Sequence, residues 1–81
     1  MKMKYVVIVT ILGESYRIEA NSLIEAFGKL QPTIIRGKAI VRVEKDGLSA
    51  ERVFFPRQLR MLMLSDKAKQ LWDKRLNNLL S

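Results

Sequence analysis

The side chains that carry most proton transfer and nucleophilic chemistry in enzymes are missing from this chain: its 81 residues include no histidine and no cysteine. Without imidazole there is no base poised near neutrality, and without a thiol there is neither a thiolate nucleophile nor a soft metal ligand. Paired carboxylates remain as a route to general acid–base catalysis. The eight acidic residues fall mostly where turns, helix caps and helix surfaces explain them, and no spacing points to a pair. Gly37-Lys38 invites comparison with a phosphate-binding loop. The pattern G-x-x-x-x-G-K-[ST] would need glycine at position 32 and serine or threonine at 39, where the chain has Pro32 and Ala39. These negatives predict a protein that is not an enzyme and that uses no cofactor and no metal.

The chemistry left to the chain is cationic. Fifteen lysines and arginines against eight acidic residues give a net charge of +7, which suits an anionic partner (DNA or RNA, an acidic protein face or an anionic membrane) and is equally compatible with a role in solubility alone. Arg36 and Lys38 precede the third predicted strand, Arg57 and Arg60 open the C-terminal helical region, and Lys67, Lys69, Lys74 and Arg75 stud the last helix. Phosphate contacts need cations on helices and loops without any fixed code, so these eight form the expected nucleic-acid-binding set. Tyr16, Phe27 and Trp72 read as core, which leaves no ring for stacking on bases. The lysines of the last helix are interleaved with Asp66 and Asp73 and fit a plain solvated face equally well. The rival reading is therefore a protein–protein adaptor or assembly component, of the accessory kind that bacteriophages and mobile elements encode.

The elements that must hold these groups follow from periodicity. Tyr5 to Leu12 is dense in β-branched residues and apolar on both alternating faces, as a central, doubly covered strand should be. Lys2 and Lys4 ahead of this run give it the look of a secretory leader. Its β-branched character, the lack of a small-residue cleavage site and the Gly13-Glu14 turn favour a strand. Gly13-Glu14 suits a two-residue type II′ hairpin. Ser15 to Ala20 alternates cleanly, with Tyr16, Ile18 and Ala20 inward and Ser15, Arg17 and Glu19 outward. Ser22-Leu23-Ile24-Glu25 is a capping box: the serine hydroxyl accepts from the Glu25 N–H and the glutamate reaches back to the N–H of Ser22. The helix it opens ends near Gln31, before Pro32. Ala39 to Glu44 and Ser49 to Phe55 form a second hairpin around Asp46-Gly47, a strong type I′ signal. Pro56 then opens the final helical region, which runs through Ser65-Asp66 as one helix or restarts there.

The expected fold is α+β with order ββαββα: one domain, residues 1–81, made of a ββαββ core over 1–55 and a helical region over 56–81. Its four-stranded, mainly antiparallel sheet carries the first helix on one face, and the final helix or a second subunit covers the other. Ile40 and Phe54 are candidates to share that second face, and Arg17, Glu19, Arg42 and Glu44 are expected on outer strands. Met61, Leu64, Ala68, Leu71, Trp72, Leu76 and Leu79 fall on one stripe of the C-terminal region, and Leu59, Leu62 and Met63 on the other side of it. A small chain without disulfide or metal gains most from oligomerisation. Leu59, Leu62 and Met63 are accordingly the expected interface of a homodimer or of a protein partner. No run approaches the ~20 apolar residues of a membrane span, so no membrane partner is expected, and the lack of cysteine fits the cytoplasm.

Overall fold

The computed structural model describes residues 4–81. The start of the leader-like segment, including Lys2, lies outside the described residues. Strand β1 (Tyr5–Ile11) pairs antiparallel with β2 (Glu14–Ala20) on one side and with β3 (Ala39–Lys45) on the other, and β3 pairs with β4 (Leu48–Phe54). The sheet order is β2-β1-β3-β4, so β1 is central as its composition predicts. The fold is α+β. Helix α1 (Leu23–Lys29) follows the first hairpin; α2 (Pro56–Leu64) and α3 (Asp66–Leu80) follow the second.

Local chemistry sets the boundaries. The first turn is Leu12-Gly13, one residue earlier than expected. Both residues have positive φ (50° and 81°), which makes it a type I′ hairpin, like Asp46-Gly47 at 51° and 78°. Ser22 Oγ accepts the Glu25 N–H at 3.1 Å, while the Glu25 carboxylate takes the N–H of Asn21 at 2.8 Å, not that of Ser22. The helix stops at Lys29, and a single 3₁₀ turn, Pro32–Ile34, carries the chain towards β3. Ser65 ends α2 and caps α3, accepting the Ala68 N–H at 3.2 Å, so the C-terminal region is two helices.

All three helices lie on one face of the sheet. Val7, Val9 and Ile11 of β1, Ala39, Val41 and Val43 of β3, and Phe54 of β4 are buried in one cluster with Leu23, Ala26 and Phe27 of α1, Leu59, Leu62 and Met63 of α2, and Leu76 and Leu80 of α3. Each fully buried Leu, Val or Phe contributes about 1.5–3 kcal/mol. This corrects two expectations. The final helix does not cover the second face of the sheet: Phe54, the last residue of β4, points to the helical side, and the chain leaves the sheet on that side. Ile40 has the opposite parity and is exposed. Leu59, Leu62 and Met63 are core residues of the subunit and cannot form its interface. The apolar residues of α2 that face out are Met61 (53% exposed) and Leu64 (63%). The stripe counted through Ser65 does not hold as one buried face: it joins Met61 and Leu64, exposed on α2, to Ala68, Trp72 and Leu76, partly or fully buried on α3, and its Leu71 and Leu79 are exposed.

Candidate nucleic-acid interface

The bare face of the sheet is built in rows fixed by the strand register. Glu19, Val6, Glu44 and Ser49 make one row; Arg17, Ile8, Arg42 and Glu51 make the next; Ser15, Thr10, Ile40 and Val53 the third. Its charges are paired. Glu19 lies 3.2 Å from the Lys4 ammonium and 3.0 Å from Arg17, and Arg42 sits 2.9 Å from Glu44 and 3.8 Å from Glu51. The hydrogen bond from Lys4, reinforced by the positive charges of Lys4 and Arg17, holds the Glu19 carboxyl below its usual value. Arg42 and Glu44 are on a central strand, a correction to their expected outer position. Three cations (Lys4, Arg17, Arg42) meet three carboxylates (Glu19, Glu44, Glu51), so this face is neutral although the chain carries +7.

The surplus sits elsewhere. Helices α2 and α3 together hold six basic residues, Arg57, Arg60, Lys67, Lys69, Lys74 and Arg75, against Asp66 and Asp73. On α2 the spacing 57, 60, 61, 64 lines Arg57, Arg60, Met61 and Leu64 along one exposed stripe. On α3 Lys67, Leu71, Lys74 and Asn78 form another, with Arg75 beside it. The Arg75 guanidinium lies over the Trp72 ring, 5.0 Å from its centre, a contact that fixes the cation without neutralising it.

Arg36 and Lys38 are exposed in the segment between the 3₁₀ turn and β3. The pairing of Ala39 with Phe54 puts Lys38 next to Phe55 at the end of the sheet, two residues from Arg57. Arg36 is close enough to Tyr16 to oppose the rise in its phenol pKa. That rise is caused first by the hydrogen bond to Glu14, at 2.9 Å. Arg36 thus lies towards the β2 edge near Tyr16, Lys38 at the start of β3, and Arg57 and Arg60 on the outer face of α2, which follows the opposite edge strand, while Lys67, Lys74 and Arg75 follow along α3.

Lys69 does not belong to this set. It is 7% exposed, and its ammonium donates to the Met63 carbonyl at 2.7 Å, so it serves the junction between α2 and α3. Two residues join the surface that sequence reasoning passed over. Phe55 follows β4, two residues before Arg57, and is 59% exposed; as the neighbour of buried Phe54 it has the opposite strand parity, which is the signal that marks it. Arg52 has helical-side parity but lies on an edge strand, and it lines a shallow depression of about 310 Å³ with Trp72, Arg75, Asn78 and Leu79. Tyr16 and Trp72 are half-buried, and Trp72 packs tilted on Phe54 with centroids 4.7 Å apart. Among the described residues no three carboxylates gather as a metal site requires, and no helix is long and apolar enough to cross a membrane. The chain matches no known family model, and no curated protein or solved structure is significantly similar to it.

Proposed function

We propose that the chain is a non-catalytic binding module that holds nucleic acid through its phosphates. The cations involved are Arg36, Lys38, Arg57 and Arg60, extended along α3 by Lys67, Lys74 and Arg75. The partition of charge carries this reading: the bare sheet face is balanced to zero, while the helical layer and the loop before β3 hold a cationic surplus. A chain that needed charge only for solubility has no reason to segregate it. Mobile Arg and Lys side chains on exposed helix faces are what phosphate neutralisation requires. Phe55, an exposed ring two residues before Arg57, adds a platform on which an unpaired base can stack and favours single strands over duplex. A cytoplasmic location belongs to the same reading.

The test is fluorescence anisotropy with labelled single-stranded and duplex oligonucleotides. Binding should appear at low salt and lose about three or more orders of magnitude between ~50 and ~200 mM salt if six or more phosphates are neutralised. Absence of binding to either form at low salt rejects the proposal. The adaptor reading would then take its place, and the exposure of Met61 and Leu64 on α2 is the observation that favours it.

A further inference from the structure

The bare face of the sheet has a second use, independent of the cationic surface. From its charge pattern we infer that it is the contact surface for a second copy of this chain, packed sheet to sheet about a two-fold axis. A two-fold interface must be complementary to itself. The first two rows of this face meet that condition. Glu19, Val6 and Glu44 in one row stand beside Arg17, Ile8 and Arg42 in the next. An axis lying in the plane of contact, parallel to the rows and midway between them, sets each row of one copy over the other row of its partner. Glu19 and Glu44 then face arginines, the arginines face carboxylates, and Val6 faces Ile8. These positions lie close to the axis, so the angle of about 30° between packed sheets separates them least.

Three further observations select a copy of this chain over other occupants. The face is neutral, so two molecules that each carry +7 can approach through it, whereas the helical faces repel one another. The existing ion pairs on it are half-exposed and worth little to the monomer. A guanidinium has five donors, so it can keep its own carboxylate and still bond one from the facing copy. The four strands of seven residues give a face of about 20 by 24 Å, on the order of 1,000 Å² for two copies, the lower bound for a specific interface. Joining the sheets edge to edge through β4 is disfavoured: pairing about its centre sets Glu51 against Glu51 or Arg52 against Arg52.

Sedimentation equilibrium on the full chain tests this, with Ile8→Lys, Arg42→Glu and the exchange Arg42→Glu/Glu44→Arg. The wild type should be dimeric at about 100 μM. Ile8→Lys and Arg42→Glu should both be folded monomers by circular dichroism, and the exchange should restore the dimer, because it swaps the two rows at one position and keeps them complementary. Should Ile8→Lys fail to fold, Arg17→Glu on the exposed edge strand reads the same interface. A wild type that stays monomeric at about 100 μM overturns the inference and leaves the face to a foreign partner. A dimer that none of the charge-altering variants dissociates also overturns it. All these positions lie away from the proposed phosphate contacts, so nucleic-acid binding by the monomeric variants separates the two proposals.

Discussion

Lys69 donates a 2.7 Å hydrogen bond to the main-chain carbonyl of Met63, six residues earlier and across a helix break. The last carbonyls of α2 have no partner within the helix and carry the negative end of its dipole. A buried ammonium satisfies one of them, and the stem of the same lysine fills space beneath the turn. Lys69→Met keeps the stem and removes the donor. It should cost about 1–3 kcal/mol in urea unfolding, as for a buried acceptor left unpaired, with nucleic-acid affinity unchanged. Loss of affinity at unchanged stability would return Lys69 to the binding surface.

Phe27 is fully buried between α1 and the sheet. Phe27→Ala should cost about 3–5 kcal/mol. A thermal melt within a degree or two of the wild type would show that α1 does not bury its ring.

Leu12 stands in a left-handed conformation (φ 50°) at the tip of the first hairpin and is 72% exposed. A type I′ turn favours asparagine there, and a leucine pays about 1–2 kcal/mol for the conformation. Leu12→Asn should raise the melting temperature by several degrees, since 1 kcal/mol shifts a domain of this size by about 4–8 °C. An unchanged or lower midpoint would mean that the leucine side chain contributes more than its backbone costs.

The elements whose signals are local were legible in the sequence. The β-branched run of β1, the alternation of β2, the serine cap of α1 and the Asp46-Gly47 turn each depend on a few adjacent residues. The failures came from tertiary choices. Leu62 and Met61 are adjacent on a helix apolar nearly all round, and only packing against the sheet decides which is buried. Val6 and Ile8 read as covered by the final helix or by a second subunit; the helix packs on the other face, and Arg17, Arg42 and Glu44 flank the two residues, which are half-buried. That Arg57, Arg60, Lys67, Lys74 and Arg75 stand exposed on the helices was legible from their spacing. Lys69 was misplaced because its partner is a main-chain carbonyl, which no side-chain pattern announces, and Phe55 was missed because it follows a buried phenylalanine.

Phe55 is the residue that separates stacking from simple charge attraction. Phe55→Ala should weaken binding of a single-stranded oligonucleotide by about 1–3 kcal/mol, roughly 5- to 150-fold, with duplex binding little altered. Equal losses on both would assign the ring a structural part at the start of α2.

The proposed function rests on phosphate neutralisation by the outer stripe of α2, and the salt dependence of binding measures that directly. For wild type and for Arg57→Ala/Arg60→Ala, affinity for one duplex should be measured by anisotropy across a range of salt concentrations. Each phosphate contact contributes about 0.9 to the slope of log K against log salt, so the double variant should bind more weakly with a slope shallower by about 1.8. Both arginines are exposed, and the melting temperature should not move. A variant that binds with the wild-type affinity and the wild-type slope would contradict the account, because the two cations placed at the centre of the surface would then touch no phosphate.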